Sequence, residues 1–85
     1  MDDYQSILID NLDKIHTTEL GYIRIAKAMK LENEECIRKI KELVFQNNTE
    51  IVKIGKNYYI FHNNLKITIN SYNFCVITAH NIKAK

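Results

Sequence analysis

Histidine is the one side chain in this sequence that can both give and accept a proton near pH 7 without a shifted pKa, and His16 and His80 lie far enough apart in the chain to come from different elements. Two such groups flanking a phosphate can take the proton of a ribose 2′-hydroxyl and protonate the leaving 5′-oxygen, provided a cation offsets the charge that develops on phosphorus. Arg24, Lys53, Lys56 and Lys66 could supply that cation, and Tyr58, Tyr59 or Tyr72 could stack on bases or donate a phenolic proton. The site expected on these grounds has His16, His80 and Arg24 as catalytic groups. Lys53, Lys56, Tyr58, Lys66, Thr68, Asn70 and Thr78 are its nucleic-acid contacts.

Each of these residues also has a plainer structural use. His16 can cap the carbonyls at the end of a helix, and His80 can be surface near a chain end. His62 falls in a turn and reads as surface. Arg24 can pair with Glu19, Glu32 or Glu35, while Lys27 and Lys30 can be the wet side of a helix. Tyr58 and Tyr59 are neighbours in a strand and point to opposite faces, so one of them belongs to the core. Cys36 and Cys75 lie in apolar surroundings with no metal-binding spacing, and read as buried free thiols. No metal and no cofactor is expected.

The elements that must position these groups are short. With 85 residues there is room for one domain and one modest core, and 46% hydrophobic with 26% charged residues is ordinary for a globular protein. A net charge of +2 is too small to argue for a polyanion partner, so any such site must come from local clustering. Asp2 and Asp3 stand where a leader would carry basic residues, and no long apolar segment follows. The expectation is a cytoplasmic protein with no membrane contact.

Residues 1–48 read as a helical half and residues 49–80 as a β-meander. In the first helix Tyr4, Ile7, Leu8, Leu12 and Ile15 make one stripe, with Asp2 and Asp3 favouring its positive end; the helix is expected to stop near His16. Thr17 and Thr18 supply N-cap hydroxyls for a second helix with Leu20, Ile23, Ala26 and Met29 inward and Arg24, Lys27 and Lys30 on another side. Asn33 can cap a third helix with Cys36, Ile37, Ile40, Leu43 and Val44 inward, ended by Gln46-Asn47-Asn48. Ile51–Ile54, Tyr58–Phe61, Leu65–Asn70 and Phe74–Ala79 are then β-strands rich in Val, Ile, Tyr, Phe and Thr. Gly55-Lys56-Asn57, His62-Asn63-Asn64 and Ser71-Tyr72-Asn73 are the turns between them. The predicted fold is α+β, with N-terminal helices packed on one face of a four-stranded antiparallel meander sheet. Ile67 and Ile69 face the helices, and Lys66, Thr68 and Asn70 line the open side.

Two nucleic-acid-handling layouts share this order of elements. Leu20–Leu31 and Glu34–Phe45 followed by a hairpin around Lys56 resemble a winged helix-turn-helix DNA-binding module, although Glu32-Asn33-Glu34-Glu35 would put three negative charges toward phosphates. His16-Thr17-Thr18-Glu19-Leu20-Gly21, Gly55-Lys56-Asn57-Tyr58-Tyr59, Ile67-Thr68-Ile69-Asn70 and Val76-Ile77-Thr78-Ala79-His80 resemble the motifs of a small uncharacterised protein family of low-GC Gram-positive bacteria. That layout is similar to the barnase, colicin-D and RelE-type ribonuclease toxins, which implies RNA on the open sheet face. The strand glutamate usual in barnase-like enzymes is missing, since Glu50 stands at the start of the first strand. Metal-independent cleavage and binding without cleavage both stay open. The partner is nucleic acid, RNA before DNA, or a protein, as for a small phage or mobile-element inhibitor pairing through a sheet edge.

Overall fold

The protein is described here from a computed structural model covering residues 4–46 and 49–82; Asp2, Asp3, Asn47 and Asn48, named above, lie outside the described residues. Helix α1 (Tyr4–Asp10) leads through a 3₁₀ turn (Leu12–Lys14) to a two-residue strand, β1 (His16–Thr17). Helices α2 (Glu19–Met29) and α3 (Asn33–Val44) follow, then β2 (Glu50–Ile54), β3 (Asn57–His62), β4 (Leu65–Asn70) and β5 (Cys75–Asn81). The predicted antiparallel meander is present, and β1 adds a fifth strand parallel to β5, so the sheet is mixed with order β1-β5-β4-β3-β2. Ile60, Ile67, Ile69 and Val76 from the strands join Leu8, Ile25, Cys36, Ile40, Leu43 and Val44 from the helices in a single core. The fold class is α+β, with the helices on one side of the sheet.

The first helix ends earlier than its apolar stripe suggests. Asn11 donates from its side chain to the Ile7 carbonyl and from its backbone to Leu8, which tightens the chain into the 3₁₀ turn. Ile15 still reaches the core, from extended backbone rather than from a helix. His16 is consequently a strand residue and not a helix C-cap.

Thr18 caps α2 as expected, its hydroxyl accepting from the Gly21 N–H at 3.1 Å. Of the predicted inward residues of α2, Ala26 and Met29 pack against the core, but Leu20 and Ile23 do not. Gly21 and Ile25 are buried, whereas Leu20 is 66% and Ile23 64% exposed. Contact with β5 explains the rotation. A Cβ on Gly21 would overlap the Thr17 hydroxyl and lie 3.3 Å from the Val76 carbonyl, so the glycine marks where helix and strand approach most closely. At the other end the Asn81 side chain donates to the Ala28 carbonyl at 2.9 Å. Because β1 pairs with only Cys75 and Val76, α2 covers the remaining edge of β5. Helix α3 buries Cys36, Ile40, Leu43 and Val44 as predicted, with Ile37 half-buried; Glu32 rather than Asn33 stands at its cap position and makes no side-chain cap bond.

Register fixes the two faces of the sheet. Ile51, Ile60, Ile67 and Ala79 form one helix-side row, and Lys53, Tyr58, Ile69, Val76 and Thr17 form the next. Thr68 pairs with Thr78 and Ile69 with Val76, which leaves Ile77 as an extra residue, a β-bulge. The bulge keeps both Val76 and Ala79 in the core although they are three positions apart. Gly55 closes the first hairpin at φ 61°.

Candidate functional site

On the open side, Glu50, Phe61, Lys66 and His80 form one row across the sheet, and Val52, Tyr59, Thr68 and Thr78 form the row beside it. A third row holds Ile54, Asn57 and Asn70. Side chains that alternate with core residues therefore converge on one surface, since paired residues in a sheet share a face. The Lys66 ammonium lies 4.9 Å from the centre of the Tyr59 ring, a cation–π contact that holds an aromatic face and a positive charge side by side. Thr68 is on this face yet only 7% exposed, because a short side chain in the central strand is flanked by Tyr59 and Thr78.

An open groove runs between α2 and β5, lined by Arg24, Lys27 and Ala28 from the helix and by Thr78, Ala79, His80 and Asn81 from the strand. It contains no carboxylate. Arg24 and Lys27, one turn apart, share the helix flank that meets the open sheet face at His80. With Lys66 opposite His80, this end of the sheet gathers three permanent cations, a histidine and an aromatic ring.

The residues predicted from sequence divide accordingly. Arg24, Lys66, Thr68, Thr78 and His80 are brought together; Asn70 shares the open face at the far end of β4. His16 is not part of this group. It is level with Cys75, five residues from His80 along β5, which at strand spacing is about 15 Å. Tyr58 is 5% exposed, its ring packed against Tyr4 and Phe74, so Tyr59 is the member of that pair on the open face. Lys53 lies in the helix-side row, and Lys56 sits in the β2–β3 turn at the opposite end of the sheet from Lys66, so the three lysines do not make one edge.

Phe61 and Asn81 are members that sequence reading passed over, while Tyr59, named as one possible stacking ring, and Lys27, named on the basic side of the second helix, were not assigned to the site. Alternation from Ile60 would have assigned Tyr59 and Phe61 to the open side, while Lys27 and Asn81 depend on how α2 docks. Cys75, expected to be buried, is a half-exposed free thiol. Among the described residues no group of three or more His, Cys, Asp or Glu could hold a metal ion, and no helix is long and apolar enough to cross a membrane.

The fold and this surface define a class: a small α+β domain whose sheet is covered by helices on one side and bare, aromatic and cationic on the other. Residues 9–80 match the model of a family described as a protein of unknown function, DUF3781, and the chain belongs to that family. No curated protein and no solved structure matches it.

Proposed function

We propose that this domain binds single-stranded RNA across the open face of its sheet, with bases on Tyr59 and phosphates along Lys66, Arg24 and Lys27. The observation that carries the reading is the Lys66–Tyr59 contact beside a cationic groove that contains no carboxylate. A bare sheet with an aromatic ring suits unstacked bases, whose faces and edges are free, whereas a duplex hides them. The winged-helix alternative is less favoured. The first turn of α3 carries Glu34 and Glu35, and Lys39 and Leu43 of α3 adjoin the His62–Leu65 turn, at the other end of the sheet from Lys56.

Binding without cleavage is the form the geometry supports. A general acid and base must each come within about 3 Å of the reacting group, and His16 and His80 are too far apart for one phosphate to reach both.

The test is a titration of a short fluorescent RNA at low salt in EDTA. Lys66→Glu and Arg24→Glu should each weaken binding about tenfold and lessen its salt dependence, while Lys53→Glu on the covered side leaves both unchanged. The RNA should be recovered intact. Cleavage lost in both His16→Ala and His80→Ala would restore the catalytic pair. Absence of binding at low salt would turn attention to a protein partner on the exposed Leu20 and Ile23 of α2.

A further inference from the structure

Alternation along the strands puts two polar side chains where core residues belong. Beyond the apolar row of Ile51, Ile60, Ile67 and Ala79, the next row on the helix side holds His62, Leu65 and Asn81. They are not sealed in. All three line a cavity of about 380 Å³ between this end of the sheet and the helices, open to solvent.

The cavity has apolar walls and a polar rim. Met29 and Leu43 from the helices, Leu31 between them and Leu65 from β4 give the walls. The rim is held by bonds that leave part of each polar group unused. His62 Nδ1 is 3.1 Å from the Thr49 hydroxyl, which leaves Nε2 for a ligand. Asn81 donates from Nδ2 to the Ala28 carbonyl at 2.9 Å, and its Oδ1 stays as an acceptor. The Asn64 carbonyl accepts from the Ile82 N–H at 2.6 Å and Asn63 has φ 55°, so the backbone fixes this turn while both side chains line the cavity.

Donors and acceptors around apolar walls suit a planar heteroaromatic ring, whose faces are apolar and whose edge carries groups of both kinds. Among the described residues that line the cavity there is no carboxylate, and Lys39 is the one permanent charge, so a ligand with a phosphate is not repelled. The volume lies near the lower end of the range for ligand pockets, about 300–1,000 Å³, which leaves room for a single nucleotide. Position then names the source of that nucleotide. Ala28 and Asn81 line both this cavity and the groove of Arg24, Lys27 and His80, so a strand with its phosphates in the groove passes the cavity mouth.

We propose that the cavity takes one unstacked base of the RNA strand, with His62, Asn64 and Asn81 bonding to the base edge. This rests on the RNA-binding reading of the open face and adds a base preference to it. Stacking on Tyr59 tolerates any base, because every base has an aromatic face, whereas fixed donors and acceptors around an edge do not.

The test uses the full chain in two arms. In the first, amide NMR spectra are recorded with AMP, GMP, CMP and UMP in turn; one of them should shift Asn63, Asn64, Leu65 and Asn81 more than the others do. In the second, a short RNA is titrated at low salt beside copies that lack the base at each position in turn. Loss of the base at one position should weaken binding about tenfold. Ala28→Phe, which fills the cavity, should bind the intact RNA about tenfold more weakly and lose nothing further with that abasic copy. Asn64→Ala, in an exposed turn, should keep the fold and level the response to the four mononucleotides. No shift at the cavity with any mononucleotide, or the same abasic profile in the native chain and Ala28→Phe, would overturn the proposal. Cavity shifts together with RNA binding that Lys66→Glu leaves unchanged would keep the base pocket and overturn the open-face path. Mononucleotide shifts without RNA binding would overturn the RNA reading, and with it the strand as the source of the base.

Discussion

The covered and open faces of the sheet are made from alternate residues of the same strands, yet they answer to different demands. On the covered side Ile60, Ile67 and Ile69 are inaccessible to water and their worth lies in close packing with the helices. On the open side Tyr59, Phe61, Lys66, Thr78 and His80 keep partial or full exposure, and their worth lies in what they present to a ligand. One position along a strand separates these roles, as Tyr58 and Tyr59 illustrate. Exposure alone does not reveal the division, because Thr68 is nearly as buried as a core residue while belonging to the open side.

The sharpest way to break this comparison is in the central strand. Ile69→Ala should cost about 2–5 kcal/mol in urea unfolding, through lost transfer free energy and a cavity, while Thr68→Ala should cost less than about 1 kcal/mol. Equal losses would mean that something covers the open face as well.

The covered side also depends on α2 lying close to β5. Gly21→Ala should cost about 1–3 kcal/mol, since the new methyl group meets the Thr17 hydroxyl, which itself donates to the Val76 carbonyl at 2.7 Å. Combining it with Thr17→Ala should cost less than the sum of the two single changes, because the overlap is then relieved. Strict additivity in that cycle would place the strain elsewhere.

On the open side the expected loss is in binding rather than folding. Tyr59→Ala should weaken RNA binding by about 1–3 kcal/mol with little change in the unfolding midpoint, and Tyr58→Ala should do the reverse, lowering stability first. A Tyr59→Ala variant that unfolds early yet binds RNA undiminished would exchange the two roles.

The smallest effect probes how dry the covered side is. Folded Cys36 keeps its proton above the ordinary thiol value of 9.0, whereas the unfolded chain releases it there. The unfolded state then binds fewer protons, so this contribution to stability is complete below pH 9.0 and lost as pH rises through the folded value. Urea midpoints of the native chain and Cys36→Ala should therefore draw together between neutral pH and about pH 10. Parallel curves would show water reaching the thiol.

The strands and turns were legible in the sequence because their information is local. Alternation through Ile67 and Ile69 assigned faces within β4, Gly55 and Asn63 marked turns that adopt positive φ, and Thr18 announced the start of α2. The stripe of Cys36, Ile40, Leu43 and Val44 oriented α3 in the same way. The sequence by itself determined these elements, since a helix or strand period needs no knowledge of its neighbour.

Only the tertiary structure decided which elements meet. The apolar residues of α2 suggested Leu20 and Ile23 as its inner face, but packing against a strand edge favours the smallest residue, so Gly21 turned inward and Arg24 and Lys27 came to flank the sheet. The parallel pairing of β1 with β5 joins segments 59 positions apart, as Thr17 bonding to Val76 shows, and no periodicity within either segment records it. That pairing separated His16 from His80 and gave each a different neighbour, Cys75 for one and Lys66 for the other. Side-chain chemistry can be read residue by residue, but its combination follows register, which is set by the packing of the whole core.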